Sequence, residues 1–238
     1  MPGAKSIDLD VLPQPDDTTC GPTCLHAVYR YWGHDLELPK LVQEIKPLPG
    51  GGTLAVSLAC HALRRGFDAE IYTYNVQVFD PTWFSGDTDL AQRLRAQDAA
   101  KGDAKLSIAT RSYLEFLSLG GHVRFEELTA RLLRRFIDRD IPILTGLSAT
   151  YLYGCPREID DEYDDVRGEP AGHFVVVSGY DKQAPEVMVA DPLQDNPGFG
   201  AHYYRVSTDR LIASILLGVV TYDANLLVIT PKGTAASP

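Results

Sequence analysis

The sequence predicts an α+β fold in which a helix packs against an antiparallel sheet. The first observation is an amphipathic helical pattern that follows directly after Cys20-Gly-Pro. The second is a pair of stretches rich in β-branched residues, 173–180 and 186–191, separated by a few turn-forming residues. Turn residues between two such stretches are typical of adjacent antiparallel strands. We therefore expect these two strands to lie side by side in the sheet.

The first predicted helix begins at Cys20. Pro22 suits the first turn, because the N–H that proline lacks would have no intrahelical partner there. Apolar residues then recur at the spacing of one buried helical face, and Gly33 supplies a stop. Thr18 and Thr19 are predicted to cap the start of this helix. The apolar positions are Leu25, Val28, Tyr29 and Trp32.

The other elements follow from periodicity and from glycine stops. Two more helices are predicted, the first at residues 38–45 and the second from Thr53 to a stop at Gly66. The pattern from 87 to 140 is helical, and we interpret residues of about 80–140 as a helical insertion. Further strands are expected at 69–74, 141–147 and 225–230, and a long irregular loop at 150–172.

Four residues have the types and order of a nucleophilic site. At a helix N-terminus, unpaired N–H groups stabilise a thiolate, so Cys20 is a candidate nucleophile. His173 opens one of the paired strands and Asp191 ends the other, so the carboxylate is placed to orient the imidazole. Gln14, just upstream of the cysteine, is a candidate oxyanion donor through its side-chain amide, together with the Cys20 backbone N–H.

The remaining cysteines are interpreted as structural. Cys24, Cys60 and Cys155 are expected to be small buried apolar residues. Four cysteines at irregular spacing do not form a disulfide framework in a chain of 238 residues. A zinc site built on Cys20, Cys24 and His26 lacks a second ligand pair at suitable spacing. We expect neither a metal nor another cofactor.

Composition and charge narrow the class of protein. With 45% hydrophobic and 23% charged residues, the chain can bury a large core, and we favour a single domain. A net charge of -10 argues against a general nucleic-acid binder, because phosphate binding needs clustered Lys and Arg. The sequence contains no apolar run long enough to span a membrane and no secretory signal, so a cytoplasmic location is expected.

The ordered set of motifs resembles the C39-like peptidases within the papain-like cysteine peptidase superfamily. Members of that family carry a glutamine, a Cys-Gly at a helix start, a Gly-His on a strand and an Asp-Pro, in this order. Thr19 departs from the pattern, because many members have an aspartate there. The segment between Cys20 and His173 is also longer than in the compact leader-peptide-cleaving members. The matching positions are Gln14, Cys20-Gly21, Gly172-His173 and Asp191-Pro192.

The resemblance implies a papain-like fold over residues 1–238, interrupted by the helical insertion. It implies that the Cys20 thiolate attacks a peptide or amide carbonyl and forms a thioester that water resolves. His173 then acts as base and acid, while Asp191 orients it. Two alternatives stay open: an acyltransferase that passes the acyl group to an amine, and a catalytically silent peptide-binding module.

An acidic stretch at residues 158–165 precedes His173. Six of its eight residues are Asp or Glu. Such a stretch is commonly a solvated loop, but beside a reactive cleft it would concentrate cationic ligands. The sequence therefore suggests a peptide or amide substrate that carries amino or guanidino groups.

Overall fold

The computed structural model describes residues 3–49, 51–160 and 162–234, and these ranges contain helices packed on a mostly antiparallel sheet. The predicted α+β fold class is confirmed. The helices are α1 (Cys20–Tyr31), α2 (Leu38–Glu44), α3 (Ala55–Arg64), α4 (Leu90–Lys101), α5 (Ala104–Ser118), α6 (Ala130–Ile137), α7 (Ala149–Tyr153) and α8 (Thr208–Leu217), with 3₁₀ turns at Pro81–Phe84 and Gly218–Thr221. The strands are β1 (Ala4–Ser6), β2 (Phe67–Thr73), β3 (His122–Arg124), β4 (Ile143–Ser148), β5 (Glu158–Ile159), β6 (Glu162–Tyr163), β7 (Gly172–Asp181), β8 (Glu186–Ala190), β9 (Tyr203–Ser207) and β10 (Asn225–Pro231).

The main sheet has eight strands in the order β3-β2-β10-β4-β7-β8-β9, with β1 also paired to β7. All pairs are antiparallel except β2 with β3. The last strand of the chain, β10, lies between β2 and β4, near the middle of the sheet. Buried apolar side chains on the helices and these strands form one continuous core.

Helix α1 packs against β7 through a close approach at Gly21. A Cβ at this position would lie 2.6 Å from the Thr53 side chain and 3.2 Å from the Phe174 ring. One turn later, the Cys24 thiol donates a hydrogen bond of 3.2 Å to the Phe174 carbonyl. A larger residue at position 21 would clash with the Thr53 side chain, so glycine allows the first turn of α1 to lie between Thr53 and the Phe174 ring of β7.

The start of α1 is stabilised differently from the sequence prediction. Thr19 occupies the N-cap position, but its side chain makes no capping hydrogen bond. Its hydroxyl instead donates to the Asp16 carbonyl at 3.1 Å, and the Thr18 hydroxyl donates to the Asp16 carboxylate at 2.8 Å. The predicted threonine cap is therefore wrong, because both hydroxyls stabilise the preceding turn.

The region predicted to be a helical insertion, residues 80–140, contains the helices α4, α5 and α6 and the strand β3. Helix α5 packs on α3, and α6 packs on β4 and β7. Residues 122–124 form β3, which pairs with β2 in parallel. The prediction of an all-helical segment is wrong at β3, where a three-residue strand is too short to produce a clear alternating pattern.

The stretch at 150–172, predicted to be irregular, contains regular structure. It begins within α7 and continues into the β5-β6 hairpin, whose Glu158 forms a further antiparallel bridge with Glu169. Asp161, in the acidic stretch, lies outside the described residues, as does Gly50 in the glycine-rich turn before α3. Among the helices of the described ranges, none is long and apolar enough to cross a membrane.

Candidate active site

The structure brings His173 and Asp191 into direct contact. Val176 pairs with Ala190 in the β7-β8 ladder, so Asp191 lies just beyond the last residue of β8. From there its Oδ1 reaches the Nε2 of His173 at 2.8 Å. Asp191 is fully buried and His173 is nearly so. Because Asp191 holds Nε2, the Nδ1 atom of the imidazole is left for another partner.

Asp191 accepts hydrogen bonds from several other groups. Its Oδ1 also accepts from the backbone N–H of Leu193 at 2.9 Å, and its Oδ2 accepts from the hydroxyls of Tyr153 at 2.8 Å and Tyr204 at 2.7 Å. Burial raises the pKa of Asp191, but these donors and the neighbouring His173 outweigh burial and hold the pKa below its usual value. The group is therefore an ionised carboxylate that cannot easily rotate.

The two tyrosines on Asp191 are site residues that the sequence analysis missed. The Tyr204 ring stacks on Phe199 with centroids 3.8 Å apart, and the Tyr153 ring lies 6.0 Å from the imidazole of His173. Tyr153 ends α7 and Tyr204 lies on β9, two elements that no pattern predicted. Nothing local distinguishes them from the other tyrosines among the 12 in the chain. Only the folded sheet brings them to Asp191.

Cys20 is the first residue of α1 and neighbours His173. Its side chain is buried, at 8% exposure. Burial alone would lower the pKa of His173. The charge of Cys20, the hydrogen bonds to Asp191 and Cys20, and the charge of Asp191 together outweigh burial, and the pKa is raised to about 10. The imidazole of His173 therefore holds its proton at neutral pH.

Gln14 lies beside the loop that follows Asp191. Its backbone N–H donates to the Pro192 carbonyl at 3.0 Å. Its side-chain Nε2 donates to the Asp16 carbonyl at 2.9 Å, which fixes the amide orientation because a carbonyl can only accept. One of the two Nε2 hydrogens is thus used in the turn that leads to Cys20, while the Oε1 atom is buried without a hydrogen-bond partner in the described part of the chain.

The three other cysteines have environments that suppress their reactivity. Burial strongly raises the pKa of Cys24, and it raises the pKa of Cys60 to about 11. Cys155 is half-buried, and burial followed by the charge of Glu158 raises its pKa as well. Cys24 and Cys60 are buried as predicted, whereas Cys155 is more exposed than expected.

Comparisons with known proteins show the family to which the chain belongs. A search of curated proteins gives no significant match. Among solved structures, the chain is similar to the peptidase domain of Streptococcus ComA, a bi-functional ABC transporter involved in a quorum sensing pathway. That similarity has 15% sequence identity and a TM-score of 0.42, and it covers 93% of this chain and 98% of the other. The model of the Peptidase_C39 like family matches residues 6–210, which is most of the sequence. The chain therefore belongs to the Peptidase_C39 like family.

Proposed function

We propose that this protein is a cysteine peptidase or amidohydrolase whose nucleophile is Cys20. The observation that carries the proposal is the buried hydrogen bond of 2.8 Å between His173 and Asp191, beside a cysteine at a helix N-terminus. Membership of a peptidase-like family supports the same chemistry. Cys20 and His173 would touch the substrate, whereas Asp191 acts by orienting the imidazole and stabilising its charge.

The reaction begins with His173 protonated: the imidazole has taken the Cys20 proton on Nδ1, because Asp191 occupies Nε2. The thiolate attacks the substrate carbonyl carbon, and the electron pair of the C=O bond moves to oxygen. When the tetrahedral intermediate collapses, the C–N bond breaks and His173 gives its proton to the leaving amine. A water then gives a proton to His173 and attacks the thioester carbonyl; the C–S bond breaks, which releases the acid and restores the Cys20 thiolate beside the protonated His173.

The proposal is tested by the reactivity of the four cysteines. At about pH 6.5, below the free-thiol pKa of about 8.5, we expect iodoacetamide to modify Cys20 first. Cys24, Cys60 and Cys155 should react slowly, since burial raises their pKa values. Peptide mass mapping over time measures each rate. Faster modification of Cys60 or Cys155 in the native protein would show that the nucleophile is misassigned.

A peptide-library digest distinguishes hydrolysis from its alternatives. The parent protein should cleave a subset of peptides, and Cys20→Ala should cleave none of them. Added amines that appear in the products would identify an acyltransferase. Rapid Cys20 alkylation without turnover of any peptide or amide would favour the silent peptide-binding module.

Gln14 is proposed to stabilise the oxyanion with its second Nε2 hydrogen. Replacement by alanine should lower kcat by roughly 100-fold, the effect of losing one oxyanion donor. Steady-state kinetics measure this loss. The same substitution also removes the hydrogen bond to the Asp16 carbonyl, so Thr18→Ala, which perturbs the same turn through the Asp16 carboxylate, is the matched control. Equal losses in both variants would assign Gln14 to the turn alone.

The acidic stretch is proposed to attract a cationic substrate. The β5-β6 hairpin is tied to Glu169, four residues before His173. Asp164 has a local role, because its carboxylate accepts from the backbone of Val166 and Arg167 and pairs with the Arg167 side chain. Asp160, in the turn of the hairpin, and Asp165, just after its second strand, are both exposed. They are therefore better sites for neutralisation than Asp164.

We expect the double variant Asp160→Asn and Asp165→Asn to raise KM for a lysine- or arginine-containing substrate by a few-fold at low salt. The difference should shrink at high salt, where screening already weakens the attraction. KM for a neutral substrate of the same length serves as the control. Equal KM values for parent and variant at low ionic strength would show that the acidic stretch is a solvated hairpin with no part in substrate binding.

A further inference from the structure

An apolar pocket lies next to the proposed reaction site. Its volume is about 190 Å³, and its lining is mostly apolar, with polar groups from Lys105, Thr221, Tyr222 and the backbone. Cavities that hold a drug-sized ligand have roughly 300 to 1,000 Å³, whereas an apolar cavity of about 150 Å³ holds a single benzene. The pocket is thus sized for one side chain. Its principal walls are Leu48, Leu54, Ile108, Val220 and Tyr222.

The first wall of the pocket is formed by lining residues between Leu48 and Leu54, just before α3. It adjoins the segment around Cys20, the proposed nucleophile. A Cβ on Gly51 would lie 2.9 Å from the Thr18 side chain. A Cβ on Gly21 would lie 2.6 Å from the side chain of Thr53. The wall therefore contacts the chain on both sides of Cys20.

The second wall, the 3₁₀ turn Gly218–Thr221, adjoins the strand that carries the imidazole. A Cβ on Gly172 would lie 2.9 Å from the Thr221 hydroxyl oxygen. Gly172 directly precedes His173 on β7. The pocket thus lies between one element that contacts the Cys20 segment and another that contacts the His173 strand.

Exposed apolar side chains lie on the second wall and at the end of helix α8, which precedes it. Val220, which lines the pocket, is 52% exposed, and Leu216 and Leu217 at the end of α8 are both more than 40% exposed. Exposed apolar side chains that lie together are typical of binding surfaces, whereas single exposed ones are common on any protein. Val220 therefore extends the apolar part of the lining toward solvent.

We propose that this pocket binds one aliphatic or aromatic side chain of the substrate, close in sequence to the bond that Cys20 attacks. The inference rests on the proposed function, and it adds a specificity determinant to it. Binding there buries the apolar side chain of the substrate and aligns the carbonyl with the nucleophile. The substrate class is then a peptide or acyl amide with a leucine-like or phenylalanine-like group.

Filling the pocket tests this proposal. Ile108→Trp should reduce the ratio of kcat/KM for leucine-containing over matched glycine-containing peptides by about ten-fold or more. Leu114→Trp is the control, because Leu114 is a partly buried position on the same helix α5 outside the pocket lining. Val220→Asp, at the half-exposed edge, provides a second variant should the tryptophan disturb folding. An unchanged ratio in both pocket variants would overturn the proposal and leave the nucleophile assignment intact.

A binding measurement separates failure of the pocket from failure of the enzyme proposal. Cys20→Ala protein is titrated with acetyl-leucine amide and with acetyl-glycine amide while NMR shifts are followed. The leucine compound should bind more tightly and shift the methyl signals of Ile108 and Val220, even if the parent has no turnover. Equal binding of the two compounds, or shifts confined to other residues, would contradict the proposal.

Discussion

Replacing Asp191 with asparagine is expected to lower kcat by up to about 10⁴-fold, the scale known for a triad carboxylate that becomes an amide. The loss has an electrostatic origin in this protein. The backbone N–H of Leu193 donates to the same oxygen that meets His173, so an asparagine would keep its carbonyl oxygen at that position. The tyrosine hydroxyls can then accept from the new amide. The imidazole keeps its hydrogen bond and loses the negative charge that stabilises its protonated form.

The pH profile distinguishes this explanation from a general disturbance of the site. The pKa of His173 is raised to about 10 partly by Asp191, so the pH above which turnover falls should move to a lower value in Asp191→Asn, because the imidazole must be protonated to donate to the leaving amine. Tyr204→Phe, which removes one donor to Oδ2 and preserves the charge, is the matched control and should lose much less activity. If turnover of Asp191→Asn falls at the same alkaline pH as that of the parent, Asp191 does not stabilise the protonated His173.

Replacing Asp223 with asparagine is expected to stabilise the protein at alkaline pH by a few kcal/mol. Asp223 is buried, and its Oδ1 accepts from the backbone N–H of Ala55 at 3.2 Å and from the Asn225 side chain at 3.0 Å. Both hydrogen bonds use one oxygen, which asparagine retains. Burial outweighs these donors and raises the pKa of Asp223 from 3.8 to about 7.

The direction of the pH effect follows from proton linkage. Because the folded pKa lies above the unfolded one, the folded state holds the proton more tightly from about pH 4 to pH 7. The stability contributed by this proton is complete below pH 4 and is lost as pH rises through 7. Three pKa units correspond to roughly 4 kcal/mol, an upper estimate for the contribution of one group.

Urea unfolding at about pH 5 and about pH 8.5 measures this contribution. His173 also loses stabilising protonation over the alkaline part of this range, since its folded pKa is raised. The informative quantity is therefore the difference in unfolding free energy between the parent and Asp223→Asn at each pH. That difference should favour the variant more strongly at pH 8.5. A pH-independent difference would show that Asp223 titrates normally in the folded protein.

The sequence by itself determined those parts of the molecule that local interactions specify. Helix α1 starts near Cys20 because Pro22 suits a first turn and because an amphipathic face follows. Strands β7 and β8 were predictable because the short turn between them leaves adjacent antiparallel pairing as the favoured arrangement. That pairing places His173 and Asp191 together without information from the rest of the chain.

Tertiary structure decided the features that depend on residues far apart in the sequence. Strand β10 enters between β2 and β4, and Tyr153 and Tyr204 reach the carboxylate of Asp191 from α7 and β9. The contact of Gln14 with the Pro192 carbonyl is equally distant in sequence. Periodicity reports which face of an element is buried, and it carries no information about which distant element covers that face. The surroundings that hold Asp191 ionised, and the position of Gln14 beside Pro192, therefore arise only when the sheet is assembled.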